Sequence, residues 1–277
     1  MAEKMLTRTR ITTPGTLPEP WRQFTYNDII HRRGGQLVND GRSCRVHRFP
    51  DERGTCYLKR YLYRKIHWRH CWEKSQVVRE FECLEKVRQA KLGCRIIEIL
   101  AYGERRRCTV LLDAFLLSRE VPDSRRLSLF LATGHEDPRR PAIVEKVVAL
   151  AAQVMEKQLA ITDLFFRNLV VVPTTAELYL LDIQQCHRNR KKALRKSWAQ
   201  LWADIELFFT PAERQLAGDR LGPILGPAFP ELRRRARLFI PKERKRKELE
   251  LKQSPPRPSE LDEPVTTRLF AENGMVK

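Results

Sequence analysis

The alternation of side chains in the segment TCYLKRY, residues 55–61, predicts a β-strand. Side chains along a strand point to its two faces in turn, so Tyr57, Lys59 and Tyr61 share one face. A lysine among aromatic residues is unusual on such a face. It either lies in solvent on an edge strand or has a specific anionic partner. Lys59 is therefore a candidate binding residue, with the edge-strand lysine as the alternative.

A helical period follows in SQVVREFECLEKVRQAKLG, residues 75–93. Ser75 is a suitable N-cap, and Gly93 is expected to end the helix. The apolar residues three to four positions apart define an inward face, which comprises Val77, Phe81, Leu84 and Val87. Glu80 lies on that same face. A buried carboxylate requires a cationic partner, so we expect Glu80 to pair with Lys59.

Further periodic segments fill out an α+β pattern. Residues 106–121 are apolar enough for two strands, which would end at a connector near Arg119 to Pro122, and Pro141 is expected to open a helix. Thr210, Pro211 and Glu213 match a capping box, which predicts a helix that ends near Gly218. Two apolar stripes at helical spacing are more typical of core than of a cofactor site: Ile143, Val147, Leu150 and Val154, and Leu194, Trp198, Leu201, Ile205 and Phe208.

Candidate chemistry is concentrated in ITDLFFRNLVVVPTTAELYLLDIQQ, residues 161–185. Asp163 precedes Asn168 by five positions, and Asp182 ends an apolar run. The apolar segments 169–172 and 178–181 flank a Pro-Thr-Thr turn, so they predict a β-hairpin that would bring Asn168 and Asp182 together. This spacing suits magnesium-dependent phosphoryl transfer, which needs oxygen ligands. Chance is the alternative, because Asp and Asn are common turn residues.

These residues and their surroundings resemble the lipopolysaccharide core heptose/Kdo kinase family, bacterial sugar kinases that share the protein-kinase fold. The resemblance covers about residues 40–209. It is carried by YLKRY around Lys59, REF around Glu80, AYGE at residues 101–104, the Asp163 and Asn168 pair, and LYLLDIQQ around Asp182. It implies a protein-kinase-like two-lobed α+β fold. Its parts would be a flexible segment 1–25, a small β-rich N-lobe 26–121, a larger helical C-lobe 122–240 and a charged, Pro-rich, partly disordered tail 241–277.

The resemblance also implies roles and cofactors. ATP would bind between the lobes, with its adenine at the connector and its phosphates anchored by Lys59 and Glu80. Asn168 and Asp182 would hold Mg²⁺, and Asp163 would be the catalytic base. The acceptor would be a hydroxyl of a heptose or Kdo sugar of the inner core of lipopolysaccharide.

The chain departs from the family pattern around Asp163. Ile161 and Thr162 replace the usual His-Gly or His-Arg, and Phe165 stands where a cation is common. We hypothesise that Arg167, the only cation between Asp163 and Asn168, neutralises charge on the transferred phosphate. The segment NDGRS, residues 39–43, has one glycine where a phosphate-covering loop usually has three. Two alternatives stay open: a kinase of another small molecule or of protein, and a pseudokinase that serves as a basic membrane- or RNA-binding module.

Charge and composition bear on partners. The 277-residue chain has a formal net charge of +19 and 42% hydrophobic residues, enough for a sizeable core. Nine basic residues against two acidic ones lie between Glu231 and Lys247, and residues 60–72 interleave cations with aromatic rings. An anionic membrane surface is the expected partner; a solvated loop and single-stranded nucleic acid are the alternatives at residues 60–72. Seven cysteines without a C-x-x-C pair and the absence of a signal-peptide pattern favour the cytoplasm, with peripheral attachment to the inner membrane.

Overall fold

The structure is a computed structural model, and it describes residues 7–19, 21–41, 44–50, 54–63 and 71–253. The chain divides into two compact units, which are described separately. The first comprises Met1–Lys91, Arg95–Val121 and Leu180–Cys186, and the second Leu92–Cys94, Pro122–Tyr179 and His187–Lys277. The division after Val121 falls where the sequence analysis ends the small lobe.

The first unit is rich in strands. Its elements are β1 (Thr7–Thr12), α1 (Tyr26–His31), β2 (Gln36–Asp40), β3 (Cys44–Phe49), β4 (Cys56–Leu62), α2 (Gln76–Gln89), β5 (Arg95–Ile96), β6 (Ile99–Arg107) and β7 (Val110–Arg119). Among the described residues, six of the strands form one antiparallel sheet in the order β1-β6-β7-β4-β3-β2. Strand β4, which carries Lys59, is therefore interior, and the edge-strand alternative for this lysine is wrong.

One face of the sheet forms the core of this unit with α1 and the segment before it. Trp21, Ile29, Phe49, Leu58 and Phe115 are among its buried residues. Ring contacts support the packing, since the centroids of Trp21 and Phe49 lie 5.3 Å apart in an edge-to-face arrangement. Helix α2 contacts β6 and β7, and its Phe81 stacks on Tyr102 of β6. The predicted helix is confirmed, and the Ser75 hydroxyl caps it by accepting from the Val78 N–H.

Two expectations for this unit were wrong in detail. Residues 7–12, predicted as part of a flexible segment, form β1, which pairs with β6. Its sequence TRTRIT is mostly exposed, so backbone pairing, not a buried face, holds it in place. Residues 106–121 hold a single long strand after the last two residues of β6, because the β6–β7 turn falls at Cys108, where φ is 54°.

The second unit is mainly helical. Its strands are β8 (Arg125–Arg126), β9 (Leu159–Thr162), β10 (Leu169–Val172), β11 (Glu177–Leu180) and β12 (Gln185–Arg188). Its helices are α3 (Leu127–Thr133), α4 (Arg140–Glu156), α5 (Lys191–Phe208), α6 (Pro211–Leu225), α7 (Phe229–Ala236) and α8 (Ile240–Gln253). The predicted hairpin is confirmed, because β10 and β11 are neighbouring strands.

The helices of this unit pack around α5. Helix α5 contacts β9, α7 and α8, while α4 contacts β9 and α6. Both apolar stripes predicted from the sequence are largely buried here, as for Ile143 and Ile205. Arg140 is buried at the start of α4, where it donates to the carboxylate of Glu213 and to the carbonyl oxygen atoms of Leu131 and Phe208. This arginine therefore links α4 with the ends of three other helical segments.

The end of α6 corrects a prediction. The capping box at Thr210 and Glu213 is present, but the helix continues past Gly218 to Leu225. The space around Gly218 is open, and the buried Leu221 continues the apolar stripe beyond it. Gly226, with φ of 52°, follows the helix instead. No helix in the described part of the chain is long and apolar enough to cross a membrane.

Candidate active site

Lys59 and Glu80 form a nearly buried ion pair in the first unit. The Lys59 Nζ atom donates to Glu80 Oε2 at 3.0 Å and to Oε1 at 3.3 Å. The side chains are 11% and 2% exposed. Strand β4 directs the lysine and the inward face of α2 directs the glutamate, as the two periodicities predict. Their pairing is confirmed.

Asp182 completes a three-residue cluster with this pair. Its Oδ1 atom accepts from Lys59 Nζ at 2.7 Å, and its side chain is 43% exposed. Burial alone would lower the pKa of Lys59, but the negative charges of Glu80 and Asp182 outweigh burial and raise that pKa above its ordinary value. Asp182 has a φ of 45°, an uncommon conformation for a residue other than glycine. Lys59 therefore stays charged, beside one buried and one accessible carboxylate.

Tyr61 supports Glu80 in a way that the sequence analysis did not foresee. The Tyr61 hydroxyl donates to Glu80 Oε2 at 3.0 Å, and the side chain is almost completely buried. Burial and the charge of Glu80 raise the pKa of Tyr61 far above its ordinary value, so the phenol remains a donor. Its position two residues after Lys59, on the same strand face, is the sequence feature that could have revealed this role.

Asp163 and Asn168 lie together in the second unit, in the loop between β9 and β10, which we call the catalytic loop (Asp163–Asn168). The Asn168 side-chain amide donates to the Asp163 carbonyl oxygen at 2.8 Å. Asp163 has a φ of 65°, and its carboxylate accepts no hydrogen bond within the described residues. The carboxylate is partly exposed and lies near the charge of Arg167.

Helix α5 holds the catalytic loop and the preceding strand β9 through three side chains. The buried Asp204 carboxylate accepts from the backbone N–H of Phe166 at 2.6 Å. The Ser197 hydroxyl donates to the Ile161 carbonyl oxygen at 2.7 Å, and the Trp198 indole N–H donates to that of Leu159 at 3.0 Å. Sequence reasoning took Trp198 as core only and did not consider the other two. The signal that identified Glu80 was an acidic residue among the apolar positions of a helix. Asp204, which lies beside Ile205 of an apolar stripe, shows the same signal.

Arg167 has a carboxylate partner that the sequence analysis did not predict. Its Nη1 atom donates to Glu243 Oε2 of α8 at 2.6 Å, and its guanidinium lies 3.8 Å from the centroid of the Phe165 ring. Burial lowers the pKa of Arg167, and the charge of Glu243 acts against that effect. Arg167 is thus held between a ring and a carboxylate, and its contact with a phosphate stays a prediction.

The chain resembles a known protein family over most of its length. The model of the Lipopolysaccharide kinase (Kdo/WaaP) family matches residues 30–212, about two thirds of the chain. The chain belongs to this family. It is accordingly a kinase, a phosphotransferase that acts on an alcohol group, and it functions as a sugar kinase of the lipopolysaccharide core. The pseudokinase alternative is set aside by this assignment. No curated protein sequence matches the chain significantly.

A solved structure shares the fold of this lipopolysaccharide kinase. It is described as WaaP in complex with acyl carrier protein. The TM-score is 0.59 at 14% sequence identity, and the match covers 86% of this chain and 99% of that chain. At this identity the likeness concerns the fold alone. The α+β, protein-kinase-like fold expected from the sequence is confirmed.

The residues present fit a magnesium nucleotide better than a metal ion bound by protein alone. Among the described residues, no group of three or more His, Cys, Asp or Glu side chains could hold a metal ion. Magnesium in phosphoryl-transfer sites usually takes one or two protein ligands and completes its shell with phosphate and water oxygens. The accessible carboxylate of Asp182 suits that pattern. Residues 42–43 of the glycine-containing segment and 64–70 of the aromatic and basic cluster lie outside the described residues.

Proposed function

We propose that this lipopolysaccharide kinase transfers the γ-phosphate of ATP to a hydroxyl of an inner-core heptose or Kdo sugar. The observation that carries the proposal is the cluster of Lys59, Glu80 and Asp182, in which a buried, charged lysine is oriented by a buried carboxylate. An oriented lysine of this kind can bind the phosphates of a nucleotide. The family assignment supports a sugar acceptor.

Each candidate residue has a role in this proposal, and Arg167 would neutralise charge on the transferred phosphate. Lys59 binds the α- and β-phosphates, and Glu80 orients it. Asn168 and Asp182 hold Mg²⁺, which when bound offsets charge on the phosphates. Asp163 orients the acceptor hydroxyl and takes its proton as the hydroxyl oxygen bonds to the γ-phosphorus and the bond to ADP breaks. The Asp163 carboxylate is partly exposed, which supports this role.

The test is ADP release by purified protein with Mg-ATP and core oligosaccharides that carry either heptose or Kdo as the acceptor. Asp163→Ala should abolish acceptor-dependent release. Asp219→Ala, a matched change at an exposed position of α6, should leave release unchanged. Chelation of Mg²⁺ should stop the wild-type reaction. Release that does not depend on the sugar, or that persists in Asp163→Ala, would contradict the proposal.

Peripheral attachment to an anionic membrane, at the cytoplasmic face where the acceptor would be anchored, is part of the same proposal. The surface around the start of α8 supports it, because Leu238 is 78% exposed and nearby cations are exposed. Those without an ion-pair partner among the described residues are Arg237, Lys242, Arg244, Lys245 and Arg246. Wild type should cosediment with vesicles that contain anionic lipid at low salt and dissociate at high salt. Equal binding to neutral vesicles, or binding unchanged by salt, would contradict it.

A further inference from the structure

Glu243 of α8 was not predicted as a site residue, yet it contacts one of the candidate site residues. This helix begins at Ile240, well beyond residues 30–212 that match the family. Glu243 nevertheless reaches the catalytic loop, where its Oε2 atom accepts from Arg167 Nη1 at 2.6 Å. The two side chains are only 9% and 15% exposed. A segment outside the family match therefore contacts the loop that carries Asp163 and Asn168.

The surroundings of Glu243 indicate a specific role rather than one more surface charge. Its neighbours Lys242, Arg244 and Lys245 are exposed, whereas Glu243 is buried. Glu243 is thus an acidic side chain that faces inward while its basic neighbours are exposed. The charges of Asp204 and Asp163 also act on Arg167, but Glu243 has the largest effect of the three carboxylates and accepts a hydrogen bond from its guanidinium. Loss of one partner from such a nearly buried pair is costly, so we infer that Glu243 fixes the position of Arg167.

Arg167 in turn belongs to a short and tightly connected loop. It lies between Phe166, whose N–H is bound by Asp204, and Asn168, whose amide is bound to Asp163. Its guanidinium also lies over the Phe165 ring. A displaced Arg167 would therefore shift neighbours on both sides. Loss of alignment in a reacting site lowers the rate even when binding persists.

We propose that Glu243 is a positioning residue, which holds Arg167 and through it the catalytic loop, so that the C-terminal helix α8 is required for full turnover. The inference rests on the proposed function for its effect on rate. Its structural part concerns the order of the loop and can be measured without a substrate.

The test compares Glu243→Ala with Glu248→Ala, which removes the same charge from an exposed position of the same helix. Glu243→Ala should lower kcat about tenfold or more, with the KM for ATP changed less than about twofold. Glu243→Asp should recover part of the loss. The double variant Arg167→Ala, Glu243→Ala should be no slower than the slower single variant, since the two residues act as one unit. Unchanged kcat in folded Glu243→Ala, or additive losses in the double variant, would overturn the proposal.

Amide hydrogen exchange provides the second measurement. Exchange in residues 163–168 should be faster in Glu243→Ala than in wild type and in Glu248→Ala. Should Glu243→Ala not fold, Glu243→Gln takes its place. It loses the charge but keeps an acceptor oxygen, so the changes in kcat and exchange should have the same direction and be smaller. Unchanged exchange in these residues would overturn the inference whatever the activity. Faster exchange in a protein that shows no Asp163-dependent turnover would support the positioning role and refute the proposed function.

Discussion

The Nζ atom of Lys59 lies 2.7 Å from Oδ1 of Asp182, although the two residues are 123 positions apart along the chain. Glu80 holds the same ammonium group at 3.0 Å. The lysine thus bridges a buried carboxylate, which orients it, and an accessible one, which suits a metal ligand. The proposed phosphate-binding residue Lys59 and the proposed metal ligand Asp182 are therefore in contact with one another.

Replacement of Lys59 should affect both stability and turnover. Lys59→Met leaves the buried Glu80 without its charged partner, so we expect unfolding to become easier by about 3–5 kcal/mol. Turnover should fall at least about 100-fold, because the nucleotide loses its oriented cation. Urea denaturation and steady-state kinetics measure the two effects.

The control for this change is Lys74→Met, which breaks an exposed ion pair with Glu82 whose side chains are 61% and 42% exposed. Such a pair contributes about 1 kcal/mol or less. The variant should be nearly as stable and as active as wild type. If both lysine variants behaved alike, the special position of Lys59 would be refuted.

Removal of the Tyr61 hydroxyl tests whether its hydrogen bond fixes the Glu80 carboxylate. Tyr61→Phe should raise the KM for ATP severalfold, because the Glu80 carboxylate loses one of the two groups that fix it. A hydrogen bond to a charged group contributes about 1.5–3 kcal/mol, so stability should fall by a similar amount. Tyr26→Phe is the matched control, since its buried hydroxyl bonds to the Asp113 carboxylate elsewhere in the unit. A KM changed equally in both variants would argue against the role of Tyr61.

The contact between Asp204 and the Phe166 N–H predicts an effect on rate from within α5. Asp204→Ala leaves a buried N–H without that acceptor, which should destabilise the protein by about 1–3 kcal/mol. We expect kcat to fall about tenfold, because the catalytic loop loses a support. Asp204→Asn retains an acceptor oxygen and should lose less. Full activity of Asp204→Ala at a temperature where it is folded would contradict this prediction.

The pair of Arg140 and Glu213 predicts a dependence of stability on pH. Burial by itself would raise the pKa of Glu213, but hydrogen bonds from Arg140 and from the Thr210 backbone outweigh it and hold that pKa below the ordinary 4.5. A carboxyl whose pKa is lowered by folding stabilises the folded state at pH values above its pKa in the unfolded chain. This contribution is lost as the pH falls through its pKa in the folded protein. The free energy of unfolding should therefore fall below about pH 4.5, and it should fall less in Glu213→Gln. Parallel curves for the two proteins would contradict the assignment.

Local periodicity explains why much of the site could be predicted. The period of two placed Lys59 on a strand face, and the period of 3.6 placed Glu80 on an apolar helix face. A carboxylate in that position requires a cation, so the pair followed from chemistry. The turn between two apolar runs likewise predicted the hairpin of β10 and β11.

Other features depended on tertiary contacts that the side-chain patterns did not predict. Strand β1 is polar and mostly exposed, so only its pairing with β6 reveals it. Helix α6 continues through Gly218 because Leu221 finds a buried place beyond it. Strand β1 has no hydrophobic period that a sequence could show, whereas in α6 the glycine was taken as a helix end although Leu221 continues the apolar stripe.

The sequence by itself determined the inward direction of Lys59 and Glu80, since this depends on patterns a few residues long, and its resemblance to the lipopolysaccharide core kinases implied the kinase-like fold class. Only the tertiary structure decided that Asp182 meets Lys59, that Asp204 holds Phe166 and that Glu243 pairs with Arg167. The physical reason is distance along the chain. Local periodicity determines the side of an element on which a residue lies, whereas the identity of its partner depends on which elements pack together.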